Sequence, residues 1–134
     1  MKKHKTLWVG MICAFVPILI TIFLILFVFN QVGKMGENEI LHKTQNYEQL
    51  SQDSLKETTV FFGDSITELC PVEDLYAAYT RKTGVPIINR GISAETTDSM
   101  LKRIEKTVLV MKPKNLVMLM GINDIAAKVD NQQI

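Results

Sequence analysis

The sequence predicts an α/β fold with a parallel sheet, placed after an N-terminal transmembrane helix. Two observations lead to this class. The stretch from Leu7 to Phe29 contains no charged residue. From residue 58 onward, short apolar segments alternate with segments of helical periodicity in the order strand, helix, strand, helix, strand. Such alternation is typical of parallel strands joined by right-handed crossovers, with helices on both faces of the sheet.

The apolar stretch is long enough to cross a bilayer. At ~1.5 Å per residue, a helix over Leu7–Phe29 would measure roughly 35 Å, and membrane helices tolerate a proline such as Pro17. A cleaved signal peptide is the alternative. Its apolar core would be only about 7–15 residues long and would end in a small-residue cleavage site, whereas Asn30 and Gln31 follow here. We therefore predict an uncleaved signal anchor at 7–29, preceded by a cytoplasmic tip at 1–6.

The flanking charges predict the orientation of this helix. Lys2, Lys3 and Lys5 precede it, whereas lysines are sparser on the other side. The positive-inside tendency then keeps the N-terminus cytoplasmic and places the C-terminal domain outside the cytoplasm. Residues 30–57 are polar with only a loose helical spacing, and we predict a juxtamembrane stalk that is partly helical.

Composition narrows the classes of partner and cofactor. The 134 residues carry a formal charge of +1, which argues against a nucleic acid as the partner. Only two cysteines occur, Cys13 within the predicted span and Cys70 beyond it. A disulfide framework or a metal cluster is therefore not expected, and we predict neither a cofactor nor a metal.

Five elements are predicted after the stalk. Apolar, β-branched or aromatic composition marks the strands, and proline or glycine marks most boundaries. Strands are predicted at Thr58–Phe62, Pro86–Asn89 and Asn115–Met120, and helices at Pro71–Lys82 and Thr96–Met111.

The second of these helices has a clear apolar face. Spacing predicts that one side packs against the sheet and that the charged residues lie largely off it; the apolar positions are Met100, Leu101, Ile104, Val108 and Met111, and the charged ones are Lys102, Arg103, Glu105 and Lys106. Met118 and Met120 in the last strand are predicted to fill the core.

Distinctive residues follow each predicted strand. Gly63-Asp64-Ser65 follows the first, Arg90-Gly91-Ile92-Ser93 the second, and Gly121-Ile122-Asn123-Asp124 the third. Ligands of open α/β sheets bind beyond the carboxyl ends of the strands. We expect these three segments to meet at one edge of the sheet.

These segments resemble the SGNH (GDSL-type) hydrolases, a family of serine esterases and lipases. The matching stretches are FFGDSIT, NRGISAETT and GINDI, and the resemblance extends from Thr58 to about Ala127. It implies a flavodoxin-like, three-layer α/β/α sandwich, of which residues 58–134 would form the N-terminal part.

The resemblance also implies roles for individual residues. Ser65 would be the nucleophile, and its own N–H, the N–H of Gly91 and the side-chain amide of Asn123 would bind the oxyanion. Asp64 and Asp124 would support the turns or cap helices.

Ser65 also has a structural alternative. It could N-cap the next helix, with Glu68 completing a capping box.

The family's catalytic base is not found in this sequence. The family places it in a C-terminal Asp-x-x-His block, but this chain has no histidine after His42. We expect an incomplete, membrane-anchored carboxylic-ester hydrolase that acts on a carbohydrate or lipid acyl ester. We expect the 134-residue chain by itself to have little or no turnover.

Two other classes remain open. One is a non-catalytic module that binds a ligand or partner, and the other is a membrane-anchored interaction protein.

Overall fold

The computed structural model describes residues 2–53 and 57–127, with side chains described from Phe15 onward. The chain divides into two compact units, Met1–Glu37 and Asn38–Ile134. The helices are α1 (Lys2–Gln52), α2 (Ser65–Glu68), α3 (Val72–Leu75), α4 (Ala77–Thr83), α5 (Thr97–Thr107) and α6 (Ile122–Ala126), and the strands are β1 (Thr59–Gly63), β2 (Ile87–Gly91) and β3 (Asn115–Leu119).

Within the first unit, α1 exposes apolar side chains on all sides. Every residue described from Phe15 to Phe29 is exposed, and within the described residues α1 alone is long and apolar enough to cross a membrane. Pro17 lies inside the helix, and its carbonyl accepts a hydrogen bond from the hydroxyl of Thr21 at 2.8 Å. Length and composition thus permit a membrane span, whereas its orientation stays a prediction.

The second unit is built on a three-stranded parallel sheet in the order β2-β1-β3. Val60 of β1 lies opposite Ile88 of β2 and Leu116 of β3. This arrangement confirms the predicted α/β class with parallel strands. The order matches the first three strands of a flavodoxin-like sheet, in which the chain reverses direction across the sheet between β1 and β3.

Helices cover both faces of the sheet. Because successive strand side chains point to opposite faces, Val60 and Phe62 lie on one side and Phe61 on the other. Val60 and Phe62 form the buried core with three residues from α5 and the turn after it, Met100, Val108 and Met111. Phe61 packs on Tyr76 with ring centroids 5.5 Å apart. The result is a layered α/β/α arrangement.

Two predicted helices are shorter than expected. The helix predicted at Pro71–Lys82 is divided into α3 and α4 at Tyr76, which has φ −103° and ψ 15°. The helix predicted to end at Met111 ends at Thr107 and is followed by a 3₁₀ turn, Leu109–Met111. Pro113 disfavours helical geometry at Lys112, which adopts a left-handed conformation with φ 50°.

Strand β3 is far more exposed than its composition predicts. Met118 is 45% exposed and Met120 is 39% exposed, so the prediction that both fill the core is wrong. The reason is position, because β3 pairs with β1 on one side and no described strand pairs with its other edge. Both methionines line an apolar cavity of about 270 Å³ beside Phe62 and Ile104.

The last part of α1 belongs to the second unit. The hydroxyl of Ser51 is buried and donates to the carbonyl of Thr107 at 2.7 Å. Lys106 approaches Glu48 at 3.9 Å. Residues 38–52 thus lie in the second compact unit and pack as a helix against its α/β elements. The boundary between stalk and domain at residue 57 stays a prediction.

Candidate active site

The segments that follow the three strands meet at the carboxyl edge of the sheet. Gly63 at the end of β1 lies opposite Gly91 of β2 and Leu119 of β3. The amide of Ile92 donates to the carbonyl of Gly63 at 3.0 Å, and the side-chain amide of Asn123 donates to the carbonyl of Glu95 at 2.8 Å. These contacts form one continuous rim around the β1/β3 crevice, where flavodoxin-like sheets bind ligands.

Gly63 allows the rim to be this narrow. A Cβ atom at residue 63 would lie 2.2 Å from the hydroxyl oxygen of Thr67 and 2.5 Å from the carbonyl oxygen of Leu119. Real side chains do not approach so closely, so glycine is required for α2 to begin directly after β1.

Ser65 is the first residue of α2, and its neighbour Asp64 caps the helix. Oδ1 of Asp64 accepts from the amide of Ile66 at 2.9 Å, and Asp64 is fully buried. The structural alternative for Ser65, an N-cap completed by Glu68, is therefore not what the structure shows. Ser65 is half-buried, and within residues 57–127 and the described part of α1 its hydroxyl has no hydrogen-bond partner.

Gly91 packs closely on α2, and its N–H is engaged. A Cβ at residue 91 would lie 2.3 Å from the amide nitrogen of Glu68. The N–H of Gly91 donates to Oδ1 of Asn89 at 2.8 Å, and its carbonyl accepts from the hydroxyl of Tyr47 at 3.2 Å. The N–H that the resemblance assigns to the oxyanion is therefore engaged by Asn89 in this structure, and the oxyanion role of Gly91 stays a prediction.

A residue that the sequence reading missed, Ala94, occupies the loop after β2. Ala94 is exposed and has φ 64°, a left-handed conformation that few non-glycine residues adopt and that often marks functional loops. Its amide has no partner among the described residues. Alanine between Ser93 and Glu95 carries no sequence signal for this conformation, so only the backbone geometry identifies it.

Asn123 and Asp124 attach α6 to the segment after β2. Gly121, with φ 97°, makes the left-handed turn between β3 and α6. Asn123 uses one of its two side-chain N–H groups on Glu95, so the second remains for another acceptor. Buried Asp124 accepts from the amide of Thr97 at 3.1 and 3.0 Å and from its hydroxyl at 2.7 Å.

A buried ion pair lies directly behind this loop. Nε of Arg103 is 2.9 Å from each carboxylate oxygen of Glu95, and Nη2 is 2.5 Å from one of them. Nη2 also donates to the carbonyl of Arg90 at 2.9 Å, and the guanidinium lies 4.4 Å from the ring centroid of Phe62. Burial raises the pKa of Glu95 although Arg103 opposes the shift. The prediction that Arg103 lies off the packed face of α5 is wrong.

Glu68 carries a second cluster of charge-assisted contacts. Its Oε2 accepts from the amide and the hydroxyl of Ser93 at 2.6 and 2.5 Å, and its Oε1 accepts from Nζ of Lys43 in α1. Burial by itself would raise the pKa of Glu68. The hydrogen bonds from Lys43 and Ser93 outweigh burial, so the pKa of Glu68 lies below its ordinary value of 4.5. Hydrogen bonds to Glu39 and Glu68 raise the pKa of Lys43 above 10.5. The Lys43–Glu68 pair is thus charged on both sides at neutral pH.

The described residues contain no group of three or more histidine, cysteine, aspartate or glutamate side chains placed to hold a metal ion.

Comparison with known proteins agrees with this geometry. A family model described as GDSL-like Lipase/Acylhydrolase family matches residues 61–134. No curated protein matched the chain.

Two solved structures share the fold. One is a Streptococcus pneumonia protein provisionally described as a platelet activating factor, with 24% identity and a TM-score of 0.69 over 80% of this chain and 48% of that chain. The other is a Bacteroides fragilis NCTC 9343 protein provisionally described as an acylhydrolase, with 29% identity and a TM-score of 0.50 over 63% of this chain and 41% of that one. The chain therefore spans less than half the length of either solved structure.

Proposed function

Because the chain belongs to the GDSL-like lipase/acylhydrolase family, we propose that it supplies the nucleophile and the oxyanion-binding part of a carboxylic-ester hydrolase. One observation carries the proposal. Ser65 stands at the rim with its hydroxyl free of described partners, while Asp64 performs the capping that would otherwise explain a serine at this position.

The proposed chemistry begins with attack of Ser65 Oγ on the ester carbonyl carbon. The carbonyl oxygen becomes an oxyanion, the alcohol leaves, and water later hydrolyses the acyl-serine. The N–H of Ser65 and the free side-chain N–H of Asn123 are the proposed donors to the oxyanion, each worth about 3–4 kcal/mol of transition-state stabilisation.

A third donor to the oxyanion comes from the loop after β2, and we assign it to the amide of Ala94 rather than to that of Gly91. The amide of Ala94 is unpartnered among the described residues, whereas that of Gly91 is held by Asn89. Gly91 instead lets α2 approach β2 closely enough to place Ser65 at the rim.

Deprotonation of Ser65 needs a base, and residues 58–134 contain no histidine. His42 is exposed on α1 and has no hydrogen bond to any described rim residue. A serine hydroxyl without a base reacts slowly, so we propose that the chain alone has little turnover and that a base added from solution restores part of the acylation rate.

Imidazole provides the test. The chain in detergent is incubated with p-nitrophenyl acetate and increasing imidazole, and acetylation is followed by intact-mass spectrometry and peptide mapping. We expect a single acetyl group on Ser65, formed faster as imidazole rises, and its loss in Ser65→Ala. As a control, Thr80→Ala on α4 should acetylate like the unmodified chain. Equal acetylation of Ser65→Ala and the unmodified chain would contradict the proposal.

An apolar cavity of about 270 Å³, lined by Phe62, Met118 and Met120 among others, supports a second candidate, a membrane-anchored module that binds an acylated ligand without cleaving it. Binding of an acylated sugar or a lipid that is unchanged by Ser65→Ala, together with no acetylation of Ser65, would favour this alternative.

We further propose that α1 anchors the protein in a membrane, with the α/β unit outside the cytoplasm and facing carbohydrate or lipid esters there. The apolar length of α1 and the lysines at its N-terminal end support this orientation.

Cys70 tests the orientation, because it is half-buried and free within the α/β unit. A membrane-impermeant maleimide applied to intact cells is expected to label the chain, and Cys70→Ser is expected to abolish the labelling. Labelling that appears only after permeabilisation would reverse the orientation, and an N-terminal sequence that begins after residue 29 would show cleavage.

A further inference from the structure

The described end of α1 makes more contact with the rim than a simple spacer would. Tyr47 donates its hydroxyl to the carbonyl of Gly91 at 3.2 Å and stacks under the guanidinium of Arg90 at 4.8 Å from its ring centroid. Lys43, one turn earlier, reaches Glu68 of α2. Both contacts are made with segments that border the rim.

Glu68 links two of the three rim segments. It belongs to α2, which begins with Ser65, and its carboxylate binds both the amide and the hydroxyl of Ser93 in the loop after β2. Ser93 directly precedes Ala94. The carboxylate therefore contributes, together with the hydrogen bond from the Ile92 amide to the Gly63 carbonyl, to the distance between the loop that carries the amide of Ala94 and the helix that carries Ser65.

Lys43 orients this carboxylate. With Nζ on Oε1 and Ser93 on Oε2, each oxygen of Glu68 has its own partner. Lys43 is itself held at 2.8 Å by Glu39, one turn back on α1. If Lys43 is removed, Oε1 loses its partner, and Glu68 can rotate away from Ser93.

We propose that Lys43 is a positioning residue for the ester-hydrolase site, acting through Glu68 on the loop of Ser93 and Ala94. Residues 38–52 would then contribute to the function of the hydrolase domain rather than act only as a spacer. The inference rests on the proposed function for its effect on rate, but the contact from Lys43 to Ser93 can be measured without any reaction.

The pair is expected to influence rate more than stability. Lys43 and Glu68 keep 30% and 20% of their side-chain surface exposed, and partly exposed ion pairs contribute little to stability. The reaction rate is more sensitive than stability to the position of the loop, because a displacement of about 1 Å can lower a rate by roughly 100-fold.

The experiment compares Lys43→Met and Lys43→Arg with a matched control, Lys106→Met, whose lysine is 63% exposed and lies 3.9 Å from Glu48. Two readouts are taken on the chain in detergent: the NMR shift of the Ser93 amide proton, and the imidazole-dependent acetylation rate of Ser65. For Lys43→Met we expect an upfield shift of the Ser93 amide and a rate about 10-fold lower, with an unchanged melting temperature. Lys43→Arg should restore both values, and Lys106→Met should resemble the unmodified chain.

The two readouts distinguish a failure of the proposed ester-hydrolase function from a failure of the positioning role of Lys43. If Ser65 of the unmodified chain is not acetylated, the proposed function fails, and the Ser93 shift alone decides whether Lys43 holds the loop through Glu68. An unchanged Ser93 shift in Lys43→Met overturns the inference, as does an unchanged rate when Ser65 is acetylated. A rate loss that Lys43→Arg does not restore, accompanied by a lower melting temperature, would show a general structural role and would also overturn it.

Discussion

Replacement of Arg103 by methionine is expected to lower the free energy of unfolding of the α/β unit by about 3–5 kcal/mol. The Arg103 and Glu95 side chains are 2% and 0% exposed, so the variant would leave the Glu95 carboxylate buried without its cation. The variant would lose three hydrogen bonds from Arg103 to the Glu95 carboxylate and one to the carbonyl of Arg90.

Chemical denaturation of the chain in detergent, followed by the fluorescence of a dye attached to Cys70, measures this loss. The matched control is Lys102→Met, one residue earlier on α5, because Lys102 also pairs with an acidic residue but the pair is 72% and 74% exposed. Loss of such an exposed pair is expected to cost less than about 1 kcal/mol. Adding Glu95→Gln to Arg103→Met should recover part of the stability, since it removes the unpaired charge. A loss in Arg103→Met no larger than in Lys102→Met would contradict the prediction.

The second large effect is expected at Gly91. In Gly91→Ala the new Cβ would lie 2.3, 2.7 and 2.8 Å from three backbone atoms of Thr67 and Glu68, the last two residues of α2. Backbone atoms cannot rotate away as a flexible side chain can, so α2 has to move. Overpacking of this kind typically costs about 1–3 kcal/mol, and the displaced helix is the one that begins with Ser65. We therefore expect both a less stable α/β unit and a loss of most Ser65 acetylation.

Gly36→Ala is the control for this change, because a Cβ at residue 36 meets no atom within 4 Å and alanine suits a helix better than glycine does. It should leave the acetylation rate and the unfolding of the α/β unit unchanged. Normal acetylation of Ser65 in Gly91→Ala would show that the close approach of β2 and α2 is not needed to place the nucleophile.

Much of the fold could be predicted from local patterns. The strand that ends at Gly63 and the strand that ends at Gly91 were predicted to within two residues at each end. Alternation with helical segments was enough to predict parallel pairing, because parallel strands require a crossover that a helix commonly provides. Positions after the strand ends then indicated where the rim residues would meet, and hydrogen bonds between the three segments show that they do.

The errors concern residues whose surroundings depend on distant parts of the chain. Arg103 has a charged side chain, and periodicity placed it off the packed face; it is buried because Glu95 and the carbonyl of Arg90 are brought to it. Met118 has an apolar side chain and was expected inside, but β3 lies at the edge of the described sheet.

What the sequence alone determined is the three strands, their parallel arrangement and the identity of the rim segments. These follow from the spacing of apolar side chains and from glycines at strand ends, which act over a few residues. The tertiary structure decided which groups at the rim are free. It assigned the helix cap to Asp64 rather than Ser65, engaged the N–H of Gly91 with Asn89, and brought Lys43 to Glu68. Such pairings depend on the register of the strands and the packing of α1 and α2, because a hydrogen bond forms only within a few tenths of an ångström of its optimal length.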